Sequence, residues 1–162
     1  METQIINYLC LSVIAFFLIK IAYIDFKTQY IYIRDLWILA IVVAFYKIYN
    51  GNFILSIFAG TGAYIFGYAI YKIAYLIYKE EAFGLGDVYL LGILGCYWSW
   101  PTMIHFTYFV FLLAGIIGII FLIGTQNRKY RIAFGPILNI SVFLYHLLGM
   151  PKIYNIITKI CV

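Results

Sequence analysis

The sequence predicts an all-α, polytopic membrane protein with about six transmembrane helices, folded as a single membrane-embedded domain over residues 1–162. Three observations predict it. Apolar residues make up 66% of the chain and charged residues 10%, whereas a water-soluble domain is about half apolar and a quarter charged. The mean hydropathy is +1.01. The apolar residues also fall into long runs separated by short polar clusters near 25–35, 50–52, 79–87 and 125–131. In lipid each backbone polar group must be satisfied within its own segment, which selects helices, and one crossing takes roughly 20 residues.

Taken in order, the runs predict spans near 5–24, 36–49, 53–78, 88–103, 104–124 and 133–150. The first begins after Met1-Glu2-Thr3-Gln4, which lacks the basic stretch of a cleavable signal, and no small-residue cleavage site follows it. It is expected to remain as a helix. The second is short, and Ile31 and Ile33 could extend it. The only punctuation between the fourth and fifth is Pro101 after Trp98-Ser99-Trp100, which suits a turn at the membrane interface. Residues 151–162, with Lys152 and Lys159 among apolar neighbours, are expected along the interface.

Lysines and arginines collect on the cytoplasmic side of membrane proteins. With the N-terminus outside, Lys20, Lys27, Arg34, Lys72, Lys79, Arg128, Lys129 and Arg131 fall on the cytoplasmic side, and only Lys47, Lys152 and Lys159 on the other. Both termini are therefore expected outside. The net charge of +5 is spread over membrane flanks with no basic face, so no nucleic-acid partner is expected. Cys10, Cys96 and Cys161 are isolated, with no metal-ligand spacing, and Cys10 and Cys96 read as small buried apolar residues. His105 and His146 stand on separate segments without ligand partners, so no metal or cofactor is expected.

Charge near lipid is costly, and each acidic residue needs a reason to be there. Glu2 is terminal; Glu80 and Glu81 follow Lys79 in a polar loop. Asp35, just before Leu36-Trp37-Ile38, is expected to cap a helix. Asp25 and Asp87 differ: one ends the first apolar run and the other opens the fourth. The orientation puts both at the same membrane face, where two carboxyl groups can work as an acid–base pair. Gly84 and Gly86 precede Asp87, and a residue without Cβ permits either positive φ or close backbone approach. They are the supporting residues of the motif, Gly-x-Gly-Asp at the start of a span.

Three stretches carry a resemblance to a known family. Glu81-Ala82-Phe83-Gly84-Leu85-Gly86-Asp87-Val88-Tyr89-Leu90-Leu91 resembles E-(G/A)-M-G-x-G-D-V-K-L-L. Ile24-Asp25-Phe26-Lys27-Thr28-Gln29-Tyr30-Ile31 resembles an aspartate followed by a basic, polar stretch and then I-P-N. Arg131-Ile132-Ala133-Phe134-Gly135-Pro136 is similar to a late P-F-G-P that opens the last helix. These belong to the type IV prepilin and archaeal preflagellin peptidases, the GxGD membrane aspartic proteases. Tyr89 replaces the family lysine, Tyr32 and Ile33 its proline and asparagine, and Ala133 its first late proline. The chain has no room for the cysteine-bearing loop domain of the large bacterial members, so the resemblance is to the short, peptidase-only branch.

The resemblance implies an aspartic endopeptidase of the inner membrane that cleaves the leader of prepilin-like precursors at the cytoplasmic face. It implies Asp25 and Asp87 as the catalytic pair, sharing one proton and positioning one water. Pilus or secretion assembly machinery is the implied neighbour. Asp25 at a helix C-terminus and Asp87 at an N-terminus put the shared proton more often on Asp25. Glu80 and Glu81 are the acidic groups available to attract a basic leader, and no other substrate-binding residue is identified. Two other readings use the same acids: a small ion-coupled transporter component, and an inactive membrane scaffold.

Overall fold

A computed structural model of the protein describes residues 2–79, 83–98, 100–125 and 133–149. The expectations for Glu80, Glu81, Arg128, Lys129, Arg131, Cys161 and the tail 151–162 lie outside the described residues. Six helices occur among the described residues: α1 (Glu2–Thr28), α2 (Ile33–Tyr49), α3 (Phe53–Tyr78), α4 (Leu85–Tyr97), α5 (Trp100–Thr125) and α6 (Phe134–Leu147). The protein is an all-helical, polytopic membrane protein. Among the described residues three segments are long and apolar enough to cross a bilayer: Thr3–Thr28, Phe53–Ile77 and Trp100–Phe121. The other helices are shorter, with 17 residues in α2, 13 in α4 and 14 in α6.

Most helix ends shift by a few residues from the expected spans, and two of the shifts have local reasons. Helix α2 starts at Ile33 rather than Leu36, so Asp35 lies within its first turn. Helix α4 stops at Tyr97 and α5 starts at Trp100. Pro101 thus sits inside the first turn of α5, where its missing N–H costs nothing. Trp98 turns inward and is buried, with its ring 5.2 Å from Tyr145 and 5.6 Å from Phe106. Trp100 remains exposed. Only one of the two tryptophans therefore suits an interfacial belt.

Helices α1 and α2 form an antiparallel hairpin fastened at both ends by polar contacts. Asn50 Nδ2 donates to Asn7 Oδ1 at 3.1 Å at one end. Lys20 Nζ donates to Asp35 Oδ1 at 2.8 Å towards the other. Helix α4 lies most intimately against α3. The reason is a seam of small residues: a Cβ on Gly95 would stand 2.6 Å from Ala63 Cβ and 3.0 Å from Ala59 O. Small residues let backbones close up where lipid offers no hydrophobic drive for helix association. Helix α6 packs on α1 and α5 and also touches α4. The core joins Ile21, Leu39, Leu91, Phe106 and Leu138 from five helices. These contacts hold the C-terminal end of α1 and the N-termini of α2, α4 and α6 together at one end of the bundle.

Candidate active site

Asp25 and Asp87 are buried, at 4% and 8% exposure. The two carboxyl groups lie within Coulombic range of each other, although they are 62 residues apart in sequence. Their helices are bridged by α2 and α6, each of which packs on both α1 and α4.

Each aspartate meets a backbone amide at a helix N-terminus. Asp25 Oδ2 accepts a 2.9 Å hydrogen bond from the N–H of Gly135, the second residue of α6. The first turn of a helix leaves its N–H groups unpaired, and its dipole favours a negative partner. The contact requires glycine: a Cβ at position 135 would lie 2.6 Å from Asp25 Oδ2. Asp87 stands in the first turn of α4, and its carboxyl group interacts with the backbone N–H of Gly84, the N-cap. This is one half of a capping box, with an acidic side chain reaching back to the residue that opens the helix. The other oxygen, Asp87 Oδ1, is buried with no hydrogen-bond partner among the described residues.

The two glycines of the Gly-x-Gly-Asp motif work by close approach rather than by positive φ. Gly84 has φ −76°, and the positive-φ glycines among the described residues are Gly51 and Gly149. A Cβ on Gly86 would stand 2.9 Å from Ile31 Cβ, and one on Gly84 would stand 3.0 Å from Asp87 Oδ2. Gly86 therefore lets the start of α4 rest against the segment joining α1 to α2. The rings of Phe83 and Phe134 meet edge to face at 4.9 Å, and Phe111 of α5 lies tilted against both, at 6.4 and 5.6 Å. These phenylalanines immediately precede Gly84 and Gly135, so one aromatic contact fixes the entrances of α4 and α6 side by side.

Asp35 does not cap α2, which corrects the expectation from its place in the sequence. The N-cap is Tyr32, without a side-chain capping bond. Asp35 is 1% exposed and is ion-paired to Lys20 of α1. Its N-terminal position is real, but its partner comes from the neighbouring helix.

The other nominated residues lie elsewhere. Cys10 is buried and Cys96 partly buried. His146 lies by the aromatic cluster of Tyr97 and Trp98, with ring distances of 6.1 and 5.1 Å. Among the described residues no group of His, Cys, Asp and Glu could hold a metal ion. The residues missed by sequence reasoning are Lys20, Ile31, Phe83 and the Gly135 amide. A lysine inside an apolar run was the one available signal among them, since such a charge calls for a partner.

A groove of about 320 Å³ runs between α2 and α4, lined by Ile33, Leu36, Trp37, Ala40, Tyr89 and Ile93. Tyr89, at the position of the family lysine, forms part of its wall and stacks on Tyr64 at 5.8 Å.

The fold and site define a helical membrane protein in which two buried carboxyl groups converge at the N-termini of two helices. Residues 12–123 match the type IV leader peptidase family, and the chain belongs to that family. It is 34% identical over 91 residues to a protein of Haemophilus influenzae described as a prepilin leader peptidase/N-methyltransferase. That match covers 56% of this chain and 38% of the relative, so the matched region spans well under half the relative's length. No solved structure matches the chain.

Proposed function

We propose that the protein is a membrane aspartic endopeptidase that cleaves the leader of a prepilin-like precursor at the cytoplasmic membrane face. The observation that carries this reading is the convergence of Asp25 and Asp87 as two buried, interacting carboxyl groups. Family membership supplies the substrate class, and the relative's description as a prepilin leader peptidase supports it.

The two aspartates act as a pair that holds one proton, because two adjacent carboxyl groups do not readily both ionise. The ionised member takes a proton from a bound water, whose oxygen attacks the peptide carbonyl carbon. The protonated member donates to the carbonyl oxygen as the tetrahedral intermediate forms. Collapse of the intermediate breaks the C–N bond: the leaving amine takes up a proton from one member of the pair, and a hydroxyl of the diol returns its proton to the other as the carboxyl product forms.

The sequence placed the shared proton more often on Asp25. The structure gives each carboxyl group a backbone donor at a helix N-terminus, the Gly135 N–H for Asp25 and the Gly84 N–H for Asp87, so either member of the pair can be the ionised one. The apolar groove between α2 and α4 supports a substrate whose cleavage site adjoins a hydrophobic segment.

The cytoplasmic placement rests on the lysine and arginine distribution. The test is incubation of the purified protein with a prepilin-type precursor bearing a basic leader, with the products identified by mass. Release of the intact leader is expected. A precursor left whole, in lipid and detergent alike, contradicts the reading.

A further inference from the structure

Lys20 and Asp35 flank the Asp25 segment on α1 and α2, and the proposed chemistry uses neither. Asp35 is 1% exposed, and Lys20 Nζ reaches its Oδ1 at 2.8 Å. Arg34 Nε stands 3.9 Å from the same oxygen, on a side chain that is 81% exposed. The second oxygen, Asp35 Oδ2, is buried with no hydrogen-bond partner among the described residues. The contact is therefore one direct ion pair between α1 and α2.

Such a pair is a poor way to gain stability. Asp35 is taken out of water while Lys20 keeps 34% of its side chain exposed, so the burial cost of the carboxylate offsets much of the attraction, and well-packed apolar residues often serve as well or better. What an ion pair supplies and an apolar contact does not is a defined register between two helices. An apolar helix surface can slide by a residue, which moves a side chain about 1.5 Å along the axis and turns it by roughly 100°. A single salt bridge penalises that slip.

The register matters here because of what lies on either side of the pair. Lys20 is five residues before Asp25 on α1, about 7.5 Å along the axis. Asp35 is four residues after Ile31, whose side chain meets the close-approach surface of Gly86 beside Asp87. Between them the chain turns through residues 29–32, with Gln29 at φ 55° and its N–H bonded to Asp25 O at 2.8 Å. Asp25, the turn, Ile31 and the start of α2 thus form one corner, with the ion pair closing it.

We propose that Lys20 and Asp35 are positioning residues: their ion pair fixes the register of α1 against α2, and so the height of Asp25 and the seating of Ile31 on Gly86 opposite Asp87. The proposal rests on the peptidase reading for its catalytic consequence. Its structural consequence, the Ile31–Gly86 contact, stands without it.

The experiment has two arms in native membranes. In the first, cleavage of a prepilin-type precursor is followed for the wild type, Asp87→Asn, Asp35→Asn, Lys20→Arg and the apolar double variant Lys20→Met/Asp35→Leu. Asp35→Asn and the double variant are expected to lower kcat about 10-fold or more, in line with the sensitivity of catalysis to small misplacement, while KM stays within about 2-fold. Lys20→Arg keeps the charge and is expected to retain most of the activity. The double variant is expected to melt near the wild-type temperature while remaining slow, which a purely stabilising pair would not produce. Wild-type kcat in the double variant overturns the proposal. Loss in Asp35→Asn as complete as in Asp87→Asn also overturns it, because Asp35 would then be a member of the catalytic pair.

The second arm does not use catalysis. Ile31→Cys and Gly86→Cys are combined with Cys10→Ala, Cys96→Ala and Cys161→Ala, and oxidative cross-linking is measured with the ion pair intact and with the double variant. Cross-linking needs the two Cβ atoms held about 4 Å apart. A yield several-fold lower without the pair is expected, and an equal yield overturns the proposal. If the wild type fails to cleave while cross-linking depends on the pair, the peptidase reading fails and the positioning role stands.

Discussion

At the scale of single residues, the backbone amide of Gly135 does as much to define the site as either aspartate. It donates to Asp25 Oδ2 at 2.9 Å, and a methyl group on the same residue would stand 2.6 Å from that oxygen. Gly135→Ala should therefore push the Asp25 carboxyl group aside while leaving α6 helical, because alanine is the better helix former. The expected outcome is a loss of cleavage of about 100-fold, measured as kcat/KM on a prepilin-type precursor. Thermal melting should change little.

Asp25 and Asp87 stood out in the sequence because an ionisable residue at the end of an apolar run is expensive and needs a reason to be there. The partners of Asp25 and Asp35 were not. A backbone donor leaves no side-chain trace, so the stretch Phe134-Gly135-Pro136 could be noticed without showing that its amide meets Asp25. Asp35 was read as a cap because local position is all that a neighbouring sequence offers. Its actual partner, Lys20, is brought to it by the α1–α2 hairpin.

At the scale of elements, glycine serves two separate interfaces of α4. Gly95 faces α3, where a Cβ would meet Ala63 Cβ at 2.6 Å and Ala59 O at 3.0 Å. Gly95→Val should force the two helices apart and cost about 1–3 kcal/mol of stability, read as a lower melting temperature in detergent. Gly86 faces Ile31 instead, at 2.9 Å from its Cβ. Gly86→Val should chiefly reduce cleavage, and Ile31→Ala in the same chain should restore part of it by making room. No restoration in the double variant would mean that Gly86 acts through something other than this contact.

The helices themselves were legible because each apolar run is long relative to its polar breaks. Their ends were less so. Tyr97 and Trp98 continue the apolar composition of α4, and only the inward turn of Trp98 onto Phe106 and Tyr145 shows where the helix stops. Gly86 stood out in the sequence, but the contact it makes did not. Sequence left positive φ and close approach equally open, and the packing of Ile31 decides between them.

At the scale of the whole molecule, α1 and α2 run antiparallel between the Asn7–Asn50 contact and the Lys20–Asp35 contact. The turn after α1 and the turn after α2 therefore lie at opposite ends of the bundle. In the proposed orientation the first of these faces the cytoplasm. Thr28→Cys should be modified by a membrane-permeant thiol reagent and shielded from an impermeant one added outside, while Gly51→Cys should react with both. The opposite pattern would move the proposed active site to the outer face.

The central claim is that Asp25 and Asp87 act together as one catalytic pair. Its most direct measurement is cleavage of a prepilin-type precursor by Asp25→Asn, Asp87→Asn and the double variant, each purified alongside the wild type and each checked by thermal melting. Asparagine keeps the size of the side chain and removes the acid. Loss of about 10³-fold or more is expected in each single variant, within the range that acid–base groups contribute. The double variant should be no worse than either, because a pair that shares one proton is already disabled by losing one member. Near-wild-type cleavage by a folded Asp25→Asn or Asp87→Asn protein would contradict the account.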